Sequence, residues 1–185
     1  MIGRPIDELA VGDSAEISRV VSRETVRGFV EATGDANPLH ADPAFAAGTR
    51  FGEVIAPGLL TGSLVSAVIG TRLPGPGTVY LSQELRFRRP VRLGETITAR
   101  VEVVEVQPER GRVRLRTLCL NGGGEVVLGG EAWVLPPTRP LRYERPATTA
   151  GAWSRLALAA WRWGFAAALG MTADQVFAPR PSDPA

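Results

Sequence analysis

The only histidine of the chain, His40, follows Asp35 by five positions in the segment GDANPLH. Asn37 and Pro38 lie between the two residues and favour a turn, which would bring the carboxylate and the imidazole into the same small space. A carboxylate and an imidazole beside each other can hold a water molecule and transfer its protons. We therefore predict a catalytic Asp35–His40 pair and rank it above a purely structural histidine.

A helix start is the second group that could take part in chemistry. Pro57 is of the residue type favoured at the first position of a helix, and the apolar segment up to Arg72 is predicted to form one long central helix. Amides at a helix N-terminus stabilise negative charge, so the Gly58 N–H could meet an oxygen that becomes negative during a reaction. Small residues recur every four positions and predict a helix face in close contact with a sheet or a ligand: Gly58, Gly62, Ser66 and Gly70.

Other classes of site have little support in the sequence. One histidine, one cysteine (Cys119) and scattered acids do not form a familiar zinc-ligand pattern, and neither a G-x-S-x-G segment nor a phosphate-binding glycine loop is present. We expect no metal and no cofactor, and we interpret Cys119 as a core residue of a strand. The 21 basic residues are all arginine and nearly balance 19 acidic residues, and we expect no nucleic-acid partner.

The expected compartment follows from cysteine content and hydropathy. A single cysteine excludes an internal disulfide, so nothing indicates an oxidising compartment. The first residues, MIGRPIDELAVGD, lack the apolar stretch of a secretory signal. No uninterrupted apolar run reaches the ~18–20 residues of a membrane span. We therefore expect a cytoplasmic protein.

The elements that must position these residues are predicted from periodicity and capping. Ser22 can cap a helix over residues 23–33, Gly34 can end it in the left-handed conformation, and a short helical turn is expected after Asp42. Alternating residue character predicts strands over residues 15–21, 78–88, 95–106, 112–121 and 125–135. Because short turns join the last four strands, we expect an antiparallel meander. The fold class is therefore α+β, with the sheet wrapped around the central helix.

Four segments carry a resemblance to a known family: TGDANPLHADPAFA, FGEVIAPGLLTGSL, LPGPGTVYLSQELRFRRPV and LGETITARVEV. Through them the chain resembles the MaoC-like, (R)-specific enoyl-CoA hydratase (hydratase 2) branch of the hotdog-fold superfamily. The resemblance implies a hotdog fold, an antiparallel sheet wrapped around a long central helix, in a homodimer. It also implies an acyl-thioester substrate carried by CoA or by acyl-carrier protein.

The resemblance assigns roles to five residues of this chain. Asp35 and His40 are implied to hold the water that adds to a trans-2-enoyl thioester. The Gly58 amide is implied to be the oxyanion donor, and Ser66 in the helix to help orient the site. Asn37 corresponds to an asparagine that supports the loop or the catalytic pair.

One position departs from the family pattern, and one group of residues is added to it. Members of the family often have His-Gly where this chain has Pro57-Gly58. Since the donor is the glycine amide, we expect the change to keep the oxyanion donor and to reshape the entrance of the pocket. Three arginines near that entrance are expected to meet the CoA phosphates: Arg86, Arg88 and Arg89.

The predicted domain organisation has three parts. Residues 1–135 are the MaoC-like hotdog domain, residues 136–150 a proline-rich linker, and residues 151–185 a helical extension with a disordered tail. The helix of the extension is predicted over Trp153 to Leu169, with aromatic residues at four-residue spacing. We expect it to pack on its own domain or on the dimer mate, and the alternatives are a docking surface or a membrane-surface helix.

Three functions compete at this point. The first is (R)-specific hydration of trans-2-enoyl-CoA, or the reverse dehydration. The second is dehydration of a 3-hydroxyacyl group on acyl-carrier protein, with the same residues and another carrier. The third is a non-catalytic hotdog protein that binds acyl thioesters. Asp35 and His40 argue against the third function because a binding module does not need an acid–base pair, and a hotdog thioesterase is less favoured still.

Overall fold

A five-stranded antiparallel sheet packs on one long helix. The structure is a computed structural model, and it describes residues 1–144. The helices are α1 (Arg23–Thr33), α2 (Pro43–Ala47) and the central α3 (Gly58–Thr71). The strands of the large sheet are β2 (Ser14–Val20), β3 (Val79–Phe87), β4 (Thr96–Gln107), β5 (Arg112–Leu120) and β6 (Val126–Leu135), and two short strands, β1 (Ile2–Gly3) and β7 (Leu141–Arg142), form a separate pair. The elements predicted within residues 1–144 are therefore present, with ends that differ by about one residue.

The order of the strands corrects the predicted meander. The sheet runs β2-β4-β5-β6-β3, so only β4, β5 and β6 follow one another as neighbours, and β3 lies at the far edge beside β6. The segment that connects β3 to β4 is not a tight turn. Its backbone pairs with the segment before α3, where Ala56 N donates to Val91 O at 2.8 Å and Ile55 forms a bridge with Arg92. Strand β2 then occupies the place beside β4.

The core lies between α3 and the inner face of the sheet. Helix α3 contacts β2, β3, β4 and β5. Its buried face and the inward residues of the middle strands are almost entirely aliphatic, and burial of such side chains is the main favourable term in folding. They are Leu60, Val65, Val68 and Ile69 from α3, Ile97, Ala99, Val101 and Val103 from β4, Val113, Leu115 and Cys119 from β5, and Val127, Leu128, Ala132 and Val134 from β6.

The predicted face of small residues on α3 is in contact with the sheet over only half its length. A Cβ atom built on Gly58 would lie 2.9 Å from Cε1 of Phe87, and one built on Gly62 would lie 3.2 Å from Cδ1 of Leu85. Ser66 is exposed, and a Cβ on Gly70 would meet nothing within 4 Å. A four-residue step overshoots a helical turn by about 40°, so the row leaves the contact face after two turns.

The first part of the expected linker belongs to the domain. Strand β7 pairs with β1, and the Met1 amino group donates to Tyr143 O at 2.7 Å while Tyr143 N donates to Met1 O at 2.9 Å. The first compact unit therefore continues past residue 135 and ends at Glu144. The helix predicted over Trp153 to Leu169 lies outside the described residues.

Candidate active site

The loop after α1 presents Asp35. Gly34 ends the helix at φ 73°, the left-handed conformation that favours glycine, and its N–H donates to Val30 O at 2.9 Å. The Asp35 N–H donates to the Thr33 hydroxyl at 3.4 Å, and Asp35 Oδ1 accepts from Asn37 N at 3.3 Å. One carboxylate oxygen thus fixes the turn, and Oδ2 is left to face the rest of the site.

Asn37 shapes the turn between the two predicted catalytic residues. Its side-chain oxygen accepts from Leu39 N at 3.1 Å and caps a single turn of 3₁₀ helix that ends at His40. Its backbone oxygen accepts from His40 N at 3.0 Å. All these contacts lie within the loop. This is the arrangement expected of a residue that supports the loop rather than one that reacts.

The imidazole of His40 is fixed by a backbone carbonyl. Nδ1 is 2.8 Å from Ile55 O, and because a carbonyl only accepts, Nδ1 carries the proton. Nε2 lies 3.8 Å from Asp35 Oδ2, too far for a direct hydrogen bond. The side chain of His40 is 10% exposed and that of Asp35 40%. In the neutral imidazole Nε2 is an acceptor, so the pair offers two acceptors to one water molecule, which can donate one O–H to each.

The start of α3 differs slightly from the prediction. Pro57 is the N-cap residue (φ −56°, ψ 135°) and not the first helical residue, because its ψ is extended and Gly58 begins the helix. Pro57 provides no side-chain cap to the first amides of α3. Those amides carry the positive end of the helix dipole, so Gly58 N–H is a suitable donor to a developing oxyanion.

His40 and Gly58 line one cavity of about 300 Å³. Its walls combine aromatic, aliphatic and basic side chains from the loop after α2, from α3 and from the segment that follows β3. The lining residues are His40, Arg50, Phe51, Ile55, Ala56, Gly58, Thr61, Phe87, Arg88, Arg89, Pro90, Val91 and Val127. Asp35 does not line the cavity, but its Oδ2 lies 3.8 Å from Nε2 of His40, which does. An apolar cavity with a few convergent polar groups is typical of a small-molecule site.

Ser66 lies away from this cavity. It is exposed on α3, two turns after Gly58, and its hydroxyl is near enough to the phenol of Tyr80 on β3 to affect the pKa of that group. Burial raises the pKa of Tyr80, and the Ser66 hydroxyl partly opposes that rise. Within this chain, therefore, the structure brings Asp35, Asn37, His40 and Gly58 together but not Ser66.

The cavity walls also contain residues that the sequence prediction missed. Arg88 and Arg89 line the cavity, whereas Arg86 does not and instead pairs with Glu84. Arg50, with its guanidinium 4.8 Å from the centre of the Phe51 ring, was not predicted. The available signal was its position, ten residues after His40 in the loop that leads to α3.

Two further properties of residues 1–144 bear on function. No group of three His, Cys, Asp or Glu side chains within that range is arranged to hold a metal ion. None of the helices described there has the length and hydropathy needed to span a membrane.

Comparison with known proteins places the chain among hydratases and dehydratases. Residues 10–118 match the family described as the MaoC like domain. The 3-hydroxybutyryl-CoA dehydratase of Methylorubrum extorquens is 52% identical over 133 residues, which cover 72% of this chain and 84% of that protein. The (R)-specific enoyl-CoA hydratase of Rhodospirillum rubrum is 41% identical over 72% of this chain and 92% of that protein. The solved structure of R-hydratase PhaJ1 from Pseudomonas aeruginosa is 43% identical, with a TM-score of 0.73 over 81% of this chain and 98% of that one. The expected hotdog fold is thereby confirmed.

Proposed function

Because the chain belongs to the MaoC-like domain family, we propose that it adds water to the double bond of a trans-2-enoyl-CoA to give the (R)-3-hydroxyacyl-CoA, or removes water in the reverse direction. It is a hydro-lyase. The observation that supports this function best is the position of His40 Nε2, which is 3.8 Å from Asp35 Oδ2 and in the cavity that Gly58 lines.

The first step places a water molecule between the two acceptors of the pair. One O–H points to Asp35 Oδ2 and the other to His40 Nε2, so a lone pair of the water oxygen is directed at the substrate. As the oxygen bonds to Cβ of the enoyl group, one O–H bond breaks and its proton passes to the pair, with Asp35 as the base. The carboxylate is partly exposed and already fixed through Oδ1, so it needs little rearrangement to accept the proton.

The second step moves charge onto the thioester oxygen. Electrons of the double bond shift toward the carbonyl as the C–O bond forms, giving an enolate whose oxygen accepts from Gly58 N–H at the positive end of α3. The enolate then takes a proton from the pair at Cα, which restores the carbonyl and adds H and OH to the same face. Dehydration follows the same steps in reverse.

We also propose that the active form is a homodimer joined along β3. In the part of the chain that the structure describes, this strand has β6 on one side and no strand on the other. Its outer edge therefore offers unpaired backbone groups, and such edges are prone to pair with another strand. Large apolar side chains on and beside it are exposed in the single chain: Leu59, Val79, Tyr80, Leu81 and Phe87. Antiparallel pairing with β3 of a second copy would cover both features.

We place the protein in the cytoplasm, where CoA thioesters are available.

The decisive experiment follows the enoyl-thioester absorbance of crotonyl-CoA and the chirality of the product. We expect the wild type to form (R)-3-hydroxybutyryl-CoA. Asp35→Asn keeps an oxygen for Asn37 N and removes only the base, so we expect kcat to fall about 10²–10⁴-fold. Asp42→Asn is the matched control: Asp42 Oδ1 caps α2 by accepting from Ala44 N at 2.8 Å and Phe45 N at 3.1 Å, and an amide oxygen does the same.

Three outcomes would contradict the proposal. Full activity of Asp35→Asn would rule out the carboxylate as base, and an (S) product would rule out the proposed stereochemistry. Hydration of crotonyl-carrier protein but not of crotonyl-CoA would transfer the function to carrier-bound substrates. Tight thioester binding without turnover of any substrate would indicate a non-catalytic binding protein.

A further inference from the structure

The arginines of the cavity wall differ in their ionic surroundings. Arg89 Nη2 lies 3.0 Å from Glu125 Oε1 and is neutralised there. Arg50 and Arg88 line the same cavity, but no carboxylate of residues 1–144 lies within the 4.0 Å of an ion pair with either of them. Within residues 1–144, therefore, the cavity wall carries two positive charges that no carboxylate pairs.

Arg50 is held in place by its own loop. The Phe51 N–H donates to the Thr49 hydroxyl at 3.3 Å, and the Gly52 N–H donates to Thr49 O at 3.1 Å, which closes a turn around residue 50. The guanidinium then lies 4.8 Å from the centre of the Phe51 ring, a cation–π distance. An arginine stacked in this way keeps its N–H groups free and loses less side-chain entropy when it binds an anion.

Arg88 is positioned by the sheet. It is the first residue after β3, and its N–H donates to Val127 O at 2.8 Å. The neighbouring Phe87 ring lies against Gly58, and Pro90 follows two residues later in the same wall. The segment from 87 to 90 therefore connects the helix start, where we place the thioester oxygen, with the positive part of the wall.

We propose that Arg50 and Arg88 form a diphosphate-binding pair that selects CoA thioesters over thioesters of carrier protein; this inference rests on the function proposed above. Guanidinium groups bind phosphate oxygens with two parallel N–H bonds. Two uncompensated positive charges match the two negative charges of the CoA diphosphate. The phosphopantetheine arm of a carrier protein has a single phosphodiester charge and would leave one arginine without a partner.

The test compares two substrates that share the thioester and the pantetheine arm, of which only one carries the phosphorylated adenosine diphosphate part of CoA. Crotonyl-CoA and crotonyl-pantetheine contain the same thioester, and only the first can engage the arginine pair. We expect Arg50→Gln and Arg88→Gln each to raise KM for crotonyl-CoA about tenfold, the effect of one charged hydrogen bond, while kcat and all constants for crotonyl-pantetheine stay unchanged. The control is Arg116→Gln, because Arg116 is an exposed arginine of β5 that pairs with Glu102 at 3.4 Å and does not line the cavity.

Two further measurements complement this test: the first needs only the wild type, and the second needs no turnover. In the wild type, added salt should raise KM for crotonyl-CoA and leave KM for crotonyl-pantetheine unchanged, because charge attraction is screened. Free CoA, followed by calorimetry, should bind the Arg50→Gln/Arg88→Gln variant about a hundredfold more weakly than the wild type, the product of two tenfold losses.

The outcomes separate the two proposals. If each substitution raised KM equally for crotonyl-CoA and crotonyl-pantetheine, the diphosphate pair would be overturned while the hydratase function stands. The same holds if the double variant bound free CoA as tightly as the wild type. The selection of CoA would be overturned if the wild type turned over crotonyl-carrier protein as efficiently as crotonyl-CoA and if each substitution lowered kcat/KM equally for both. A wild type that hydrates neither thioester would overturn the proposed function, and this inference with it.

Discussion

Replacing Gly130 with alanine should destabilise the domain, because the added methyl group would meet backbone and not a side chain. Gly130 lies in β6 opposite Leu85 of β3. A Cβ atom built there would lie 1.9 Å from Glu84 O and 2.8 Å from the carbonyl carbon of the same residue. No rotamer change can relieve this contact, so the two strands must separate.

The size of the effect follows from these distances. A methyl carbon needs more than 3 Å from a carbonyl oxygen, so β3 must move by over 1 Å, and among the described residues 1–144 β6 is the one strand paired with it. Overpacking of this kind costs about 1–3 kcal/mol, and a weakened ladder hydrogen bond adds about 1 kcal/mol. We expect a loss of about 2–4 kcal/mol, which for a chain of this length lowers Tm by roughly 4–16 °C.

The neighbouring glycine provides a matched control. A Cβ on Gly129 would lie 3.4 Å from Cδ2 of Leu118 and 3.8 Å from Cγ1 of Val126, which are ordinary contacts with side chains. Since alanine also loses less conformational entropy than glycine, Gly129→Ala should be neutral or stabilising by about 0.5–1 kcal/mol. Both variants are melted by circular dichroism at one protein concentration. A Tm of Gly130→Ala equal to that of Gly129→Ala would refute the close approach of β3 and β6.

Three further predictions address buried or capping groups. Burial raises the pKa of Cys119 to about 12, so we expect iodoacetamide to label this thiol only after unfolding, and rapid labelling of the native protein would contradict its burial. Burial also raises the pKa of Tyr80 above 10.0, and Ser66→Ala should raise it further in a spectrophotometric titration; a lower value would contradict the Ser66 contact. Because the folded-state pKa is the higher one, this tyrosine contributes stability below about pH 10 that is lost as the pH rises through the folded-state value. Ser22 Oγ accepts from Thr25 N at 3.1 Å, so Ser22→Ala should cost about 1 kcal/mol in urea unfolding whereas Ser22→Asp should not, and equal stability of the two would argue against the cap.

Local signals in the sequence predicted the elements and the conformation of the loop that contains Asp35 and His40. Ser22 and Gly34 mark the two ends of α1 because capping depends on residues within one turn of the helix. Asp35 and His40 could be paired from sequence since one short loop contains both. Alternation of residue character likewise located β3, because successive side chains of a strand point to opposite faces of the sheet.

Long-range features could not be predicted in the same way. Alternation identifies β3 as a strand but does not say which strand lies beside it, and the tight-turn expectation placed it next to β4 instead of β6. The four-residue spacing placed Ser66 in line with Gly58, whereas the helical twist turns it away from the cavity. Arg50 belongs to the cavity only because its loop folds toward the segment after β3, a contact between distant parts of the chain.

The orientation of the His40 ring is set by a backbone carbonyl, and a sequence does not show which carbonyl lies beside a given side chain. Ile55 O accepts from Nδ1, and the Ile55 N–H donates to Leu39 O at 3.4 Å, so one residue before α3 holds both the ring and its loop. Since Nδ1 must then carry the proton, the nitrogen that faces Asp35 is an acceptor, and the pair suits a water that donates both of its hydrogens. In the reaction that we propose, the proton passes to Asp35 and His40 while the oxyanion accepts from Gly58 N–H. Ile55 and Gly58 are three residues apart and line the same cavity, so this short segment positions both groups.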